Sequence, residues 1–308
     1  MSRTGSWLLR ARAGVACVVL GALTCGGSAP VAFDGQRAMA DLNAQVAIGP
    51  RPAGSEAAEQ TRQLISERLR QAGWPVEAWR FEAGPPGSPP IPMVNLIARR
   101  PGTGRGRLIV GAHYDTKLLA GRRFVGANDG ASGVAVLLEL ARTLGRSPGP
   151  LAIDLVFFDG EEAVLGGITP EDGLFGSREL AARMQRDGSL AEVRALLLVD
   201  MVGDRDLNLA FDGNSSPALV ALASRLGGDV FDPGQRLSLV DDHMPFKERG
   251  LSEVLALIDF QFGERRTPGP LWHTDGDDLT AVSAESLNRV GALVVQLIAE
   301  LERQSAPK

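Results

Sequence analysis

The sequence predicts an α/β fold, a three-layer αβα domain built on a largely parallel sheet, and two observations carry that reading. Runs such as "RLIVGA", "LAIDLVFF", "ALLLV" and "SEVLALI" are almost continuously apolar over strand length, and they alternate with segments whose apolar residues recur at helical spacing. Strands buried on both faces read as unbroken apolar runs, and alternation with helices places those strands side by side in parallel. Several of these runs also stop abruptly at charged groups. "RLIVGA" ends in His113, Tyr114 and Asp115, "LVFF" in Asp159, Glu161 and Glu162, and "ALLLV" in Asp200. In open α/β sheets ligands bind beyond the carboxyl ends of the strands, so these terminations mark the site.

In chain order, "GSEAAEQTRQLISERLRQAG" is an amphipathic helix on Leu64, Ile65 and Leu69, with acids in its first turn and Gly73 as its stop. "EAGPPGSPPIP" is a loop by composition. "MVNLIARR" and "RLIVGAHYD" are strands separated by the turn "PGTGRG". "GVAVLLELARTLGR" is a helix, "LAIDLVFFDG" a strand, and "SRELAARMQRDG" a helix with Ser177 as its expected N-cap. "VRALLLVDMVG" is a strand, "PALVALASRLG" a helix and "SEVLALIDF" a strand; the amphipathic helix of "SAESLNRVGALVVQLIAELER" follows, capped by Ser283. No Pro- or Ser-rich linker and no internal repeat interrupts residues 33–308, which are expected to form one domain.

The first thirty residues differ in kind. Arg3, Arg10 and Arg12 precede an apolar run from Ala13 to Thr24 and then small residues, the three-part pattern of a secretory signal peptide over residues 1–25. The run is short for a membrane span. "ALTC" resembles a bacterial lipoprotein cleavage box with alanine where leucine is usual, so two exported forms are open, one free and one anchored through a lipid on Cys25. Cleavage there removes three positive charges from a chain whose net charge is −5. Cys17 and Cys25 are the only cysteines, which leaves the remaining domain without a disulfide and dependent on its core. No basic stripe points to nucleic acid, and a monomer is expected.

The chain has only three histidines, and each stands beside acids or small polar residues: "AHYD", "DDHMPF" and "WHTDGDD". With Asp129 in "GANDGASG", Glu161, Glu162 and Asp200 they compose an Asp/Glu/His set suited to Zn2+, which accepts imidazole nitrogen and carboxylate oxygen. A dication offsets the repulsion within such a cluster of carboxylates. The adjacent glutamates can divide the work, one ligating metal while its neighbour acts as a general base.

The ordered set "GAHYDTK", "FVGANDGASGVAVLLELAR", "FFDGEEA…GLFGSRELAARM", "LLLVDMVG", "DDHMPFKERG" and "LWHTDGDD" resembles the zinc aminopeptidase and glutaminyl cyclase superfamily over residues 45–300. The resemblance implies a three-layer αβα sandwich with a mostly parallel mixed central sheet, and peptide or protein N-termini as substrate. In the aminopeptidase branch it implies two zinc ions held by His113, Asp129, Glu162, Asp200 and His273, with Asp129 bridging and Glu161 activating water. In the cyclase branch it implies one zinc on Asp129, Glu162 and His273. Glu161 would then take a proton from the α-amine of an N-terminal glutamine and pass it to the leaving ammonia, with Asp200 and Asp242 holding the proton network.

Lys117, the thirteen or so residues between Glu162 and the "GS" turn, "DDHMPF" and "LWHT" are similar to the cyclases, whereas "NDGASGVA" and "DMVG" read more like the peptidases. Cyclases place a tryptophan shortly after the paired glutamates, and Gly167 stands there in this chain, while Trp272 is kept beside His273. The resemblance therefore favours a zinc-dependent glutaminyl-peptide cyclotransferase over a secreted zinc aminopeptidase, with a non-catalytic binding domain as the third reading. Trp272 and His243 are expected to contact substrate, His243 alternatively to orient Asp242. Asp115 is expected to support a ligating imidazole or pair with Lys117 or Arg122, Asp159 to shape its turn or support the site, Tyr114 to be packed, and Asp275, Asp277 and Asp278 to form a solvated turn.

Overall fold

The computed structural model describes Met1 and residues 32–305; Arg3, Arg10, Arg12, Cys17 and Cys25 lie outside the described residues. The chain enters through α1 (Gly35–Ile48) and α2 (Glu56–Gln71), followed by β1 (Val76–Ala83), β2 (Ile91–Arg100) and β3 (Arg107–His113). Then come α3 (Ala131–Leu144), β4 (Ala152–Phe158), α4 (Phe175–Arg186), β5 (Val193–Asp200) and β6 (Leu209–Asp212). The remainder is α5 (Pro217–Gly227), β7 (Phe231–Leu237), α6 (Met244–Glu248), β8 (Val254–Ile258) and α7 (Ala284–Ser305).

Six strands form one mixed sheet in the order β1-β2-β4-β3-β5-β8. The block β4-β3-β5-β8 is parallel, and β2 and β1 extend it antiparallel. β6 and β7 form a separate parallel pair. Strand residues alternate between two cores, as a period of two requires when both faces are covered. Ile153, Leu155 and Phe157 of β4 and Leu197 and Val199 of β5 join the core beneath α1, α3 and α7. Val156 and Phe158, with Leu196 and Leu198, join the opposite core with Leu180 and Met184 of α4 and Phe246 of α6.

The helical ends follow local chemistry. Ser55 caps α2 through its hydroxyl to the Ala58 N–H, and the Ser286 N–H donates to Ser283 Oγ at the start of α7. Gly73, with φ of 81°, follows the end of α2 as expected. Ser177 is not the N-cap of α4. Backbone bonds from Leu174 N to Glu161 O and from Phe175 N to Gly160 O, both 2.8 Å, tie the helix start to the end of β4. The helix therefore begins at Phe175, with Leu174 in the left-handed region, and the Ser177 hydroxyl donates back to Leu174 O. The 82–92 loop is shorter than expected, because β1 runs to Ala83 and pairs along β2 from Val76↔Ala98 to Ala83↔Ile91. β1 was hidden in sequence by its charges: it is an edge strand of half-buried and exposed residues, with Glu77 taken up by Arg99 and Arg183.

The position of α3 matters most for the site, since Asp129 immediately precedes it. A Cβ placed on Gly133 would fall 2.2 Å from Val199 O of β5 and 2.9 Å from Ala112 Cβ of β3, so only glycine lets the helix seat this close. Gly133→Ala is expected to lower stability by about 1–3 kcal/mol through overpacking, read as a shift of the urea unfolding midpoint at unchanged slope.

Candidate active site

The parallel strands deliver their ends side by side. His113 is the last residue of β3, Asp200 the last of β5, and Glu161 and Glu162 follow β4. Asp129 sits ahead of α3, and His273, with φ of 54°, lies between β8 and α7. Asp129 occupies the centre. Its Oδ1 is 3.2 Å from His113 Nε2 and its Oδ2 is 3.3 Å from His273 Nε2. His113 Nε2 is also 3.2 Å from Asp200 Oδ1, and His273 Nε2 is 3.1 Å from Glu162 Oε1.

Two donor sets result, His113 with Asp129 and Asp200, and Asp129 with Glu162 and His273. Ligand atoms arranged tetrahedrally around zinc at its usual bond lengths stand about 3.4 Å apart, which matches these spacings. Each Nε2 also faces two carboxylates while a neutral ring nitrogen can satisfy only one, a mismatch that a cation between them removes. The residues present therefore fit zinc chemistry.

The supporting groups are buried. The Asp115 carboxylate accepts the N–H groups of Glu161 and Glu162 at 3.1 and 3.3 Å, and its Oδ1 stands 3.5 Å from His113 Nδ1, an ion-pair distance rather than a hydrogen bond. Lys117 Nζ donates to Ala163 O at 2.6 Å and lies 3.6 Å from Glu162 Oε2. Tyr114 is packed at 0% exposure, its hydroxyl on Asp159, whose Oδ2 also accepts the Val94 N–H at 2.8 Å.

A cavity of about 350 Å³ opens over this cluster. Glu161, Asp129, Asp200, Glu162 and His273 form its floor, and Trp272, Phe260, Leu239, Val240 and the backbone of Gly166 and Gly167 form its walls. Trp272 stacks on His273 with ring centroids 3.9 Å apart and meets Phe260 edge-on.

Two expected site residues are placed otherwise. His243 is not among the residues that line the cavity: it is fully buried with Nε2 3.3 Å from Asp212 Oδ2, and no hydrogen bond joins it to Asp242. Asp242 is also fully buried, and the carboxylate that lines the cavity is its neighbour Asp241. The two side chains diverge at the bend before α6, and "DDH" carries no signal that says which one faces inward.

Burial dominates the acid–base behaviour of the cluster. It pushes the Glu161 carboxyl well above its ordinary value, against the pull of His113 and with the help of Glu162, Asp241 and Asp242. Burial and Asp200 lift Asp241 to about 7. For His273 the burial penalty is outweighed by Asp129 and Glu162, which hold the imidazolium up to about 9. Asp129 is depressed despite burial, because His113 and His273 both favour its charge.

The profile of peptidase family M28 matches residues 95–298. The chain belongs to peptidase family M28. It is 31% identical over 287 residues to a glutaminyl-peptide cyclotransferase-like protein of Bos taurus, covering 81% of this chain and 72% of that one. It is 29% identical over 279 residues to a glutaminyl-peptide cyclotransferase of Drosophila melanogaster, covering 81% and 76%. In three dimensions it resembles a glutaminyl cyclase of an Acidobacteriales bacterium, with a TM-score of 0.83 and 35% identity over 90% of this chain and 98% of that one. A zinc-dependent exopeptidase of Parabacteroides distasonis shares the fold at a TM-score of 0.78 and 22% identity, covering 88% and 99%.

Two residues that hold this M28 site together were not singled out correctly from the sequence. Asp277 is not solvated: it is fully buried, and its two oxygens accept the N–H groups of Asn128 and Asp129 at 2.6 and 3.0 Å. Arg51, also fully buried, donates to the carbonyls of Tyr114, Val125 and Gly126 at 2.8, 2.5 and 2.9 Å. Burial lowers its guanidinium to about 10, against the charges of Asp277, Asp115 and Asp129. "GPRPAG" looks like a loop, and nothing local in it announces a buried cation.

The metal-free protein should have an inverted pH dependence of stability. Asp159, Asp241, Asp259 and Asp277 are each raised by burial to about 7. An acid whose folded value exceeds its unfolded one binds more protons when folded, so its contribution is complete below about pH 4 and is lost as pH rises through about 7. His273, raised to about 9, extends the loss in the same direction. Melting of chelator-treated protein should therefore fall to lower temperature from about pH 5 to pH 9, and zinc should restore it most at the alkaline end.

Proposed function

We propose that this protein is a zinc-dependent glutaminyl-peptide cyclotransferase, converting an N-terminal glutamine of a peptide to pyroglutamate with release of ammonia. The observation that carries the reading is one cavity holding a ligand set of two carboxylates and an imidazole, with Glu161, a carboxyl raised by burial, beside it. The similarity to cyclases from an Acidobacteriales bacterium, Bos taurus and Drosophila melanogaster supports the choice of chemistry. The segment between Glu162 and α4 adds to it, since Gly166, Gly167 and Ile168 from that segment wall the cavity.

Asp129, Glu162 and His273 would hold the metal, which when bound polarises the γ-carbonyl of the substrate glutamine. Glu161 as carboxylate accepts a proton from the α-amine as its nitrogen bonds to the γ-carbonyl carbon. It then donates that proton to the amide nitrogen as the carbon–nitrogen bond breaks and ammonia leaves. A base with a raised pKa suits both halves of this transfer near neutral pH. Asp241 and Asp200, also on the cavity wall, would share the proton and orient the amine. Trp272 would pack on the glutamine side chain while excluding water. The second set, His113, Asp129 and Asp200, favours an alternative in which two ions serve an aminopeptidase, with Glu161 activating water. The pattern of Arg3, Arg10 and Arg12 before an apolar run supports export of the enzyme, with Cys25 available as a lipid anchor.

Purified protein given a Gln-initiated and a Leu-initiated peptide should release ammonia and pyroglutamyl peptide from the first and no free leucine from the second. Elemental analysis should find close to one zinc per chain. The reverse outcome, free leucine with two zinc ions, would establish the peptidase. Glu161→Gln should retain zinc while kcat falls by about 10²–10⁴-fold. Glu162→Gln should instead release zinc more readily to a chelator, and equal zinc loss in both variants would contradict this division of roles.

A further inference from the structure

Apart from Met1, the exposed large apolar side chains among the described residues are Leu118, Val164, Leu165, Val240 and Leu279. Four of the five stand on three of the segments that line the cavity. Leu118 follows Lys117, Val164 and Leu165 precede Gly166, and Val240 is itself part of the wall. Scattered surface leucines need no explanation, whereas apolar groups gathered at the rim of one cavity do.

Their exposure is built into the fold, since each loop is clamped where it presents its side chain. The Val164 and Leu165 N–H groups donate to the two oxygens of Asp172 at 2.7 and 2.8 Å, yet the Leu165 residue is 73% exposed. Lys117, anchored on Ala163 O, ties the Leu118 loop to the Leu165 loop, and Leu118 is 70% exposed. Around Val240, 54% exposed, the Leu239 N–H donates to Asp212 Oδ1 and Leu239 O accepts from Asn214 Nδ2. Between the cavity and Leu165 the wall is bare: a Cβ on Gly166 or Gly167 would meet nothing within 4 Å.

We propose that this rim is a docking surface for the second residue of the peptide substrate, and that it selects an apolar side chain there. The inference rests on the reading that a peptide N-terminus occupies the cavity. Covalent continuity then decides what lies at the mouth: residue one fills the cavity, and residue two stands at the opening, where the bare wall of Gly166 and Gly167 leaves room for it beside Leu165 and Leu118. A large aliphatic or aromatic group at that point covers Leu118 and Leu165 and removes apolar surface from water, whereas glycine or glutamate does not.

The test uses two peptide series, Gln-Phe-Ala, Gln-Gly-Ala and Gln-Glu-Ala, and the same three beginning with leucine, with product read by mass. In the full-length protein kcat/KM for the Phe peptide should exceed that for the Gly and Glu peptides by about tenfold or more, mostly through KM. Leu118→Ser combined with Leu165→Ser should bring the ratio close to one, with melting temperature as the control for folding. Each single variant should give an intermediate ratio. Cyclisation of all three Gln peptides at equal kcat/KM would overturn the rim while leaving the cyclase reading intact. Turnover of the Leu series alone, with the same preference for Phe, would overturn the cyclase reading and keep the rim. A preference that survives in the double variant, or no turnover of either series by zinc-loaded protein, would overturn the proposal.

Discussion

Asp129 offers one oxygen to His113 and the other to His273, and the rest of the site is organised around holding that carboxylate in place. A single wholly buried carboxylate placed between two imidazoles makes each ring depend on the same backbone position. A shift of Asp129 would therefore disturb both donor sets at once. The sequence before it, "GAND", cannot fix that position by local structure, because Asp129 precedes the first turn of α3 instead of belonging to it. The position is fixed by tertiary bonds. Asp277 takes the N–H groups of Asn128 and Asp129, Arg51 takes the carbonyls of Val125 and Gly126, and the Asn128 side chain accepts the Gly203 N–H at 2.7 Å.

These fixing groups are themselves expensive to bury. Arg51 and Asp277 are both without solvent exposure, and each is depressed or raised against its charged form by that burial. Buried polar groups persist where each polar atom finds a partner, and the three carbonyl acceptors, one for each nitrogen of the Arg51 guanidinium, and the two N–H donors, one for each oxygen of Asp277, meet that requirement. The apolar cores that flank the sheet offset the cost, which matters in a described chain containing no cysteine. The result is a rigid rim of backbone carrying a cluster of carboxylates that would separate if their supports were flexible.

The sheet was legible in the sequence wherever strands are buried on both faces, because β3, β4, β5 and β8 are nearly continuous apolar runs of strand length, broken inside only by Asp154 of β4 and Arg194 of β5. β1, β6 and β7 were not: β1 mixes Glu77, Arg80 and Glu82 with apolar residues on an edge, and β7 contains Pro233 and Gly234. Asp129, Glu162, Asp200, His113 and His273 could be picked out because a strand or loop ending in such groups has few structural uses. Asp241 could not be told from Asp242, since which of two adjacent acids faces a cavity depends on the bend between Leu237 and Met244 and not on residue type. Arg51 and Asp277 were hidden for the complementary reason. Their partners are backbone atoms distant in sequence, and backbone atoms leave no trace in residue identity.

The segment from Ala163 to Gly173 shows how a wall can be kept while its side chains change. Leu174 and Phe175 return to Glu161 O and Gly160 O, so the segment leaves and re-enters the sheet end at nearly one point. Asp172 closes it from inside through Val164 and Leu165, and Arg178 closes it from α4 through Thr169 O at 2.5 Å and Pro170 O. None of these bonds involves the side-chain position at 167. The backbone path of the wall is therefore independent of what residue 167 carries, and glycine there opens space without loosening the loop. Because the donor set and Glu161 are anchored by Asp115 and the strand ends instead, the chemistry and the width of the cavity vary separately. Under the proposed function, that separation would let the cavity wall change without moving the acids and imidazoles on its floor.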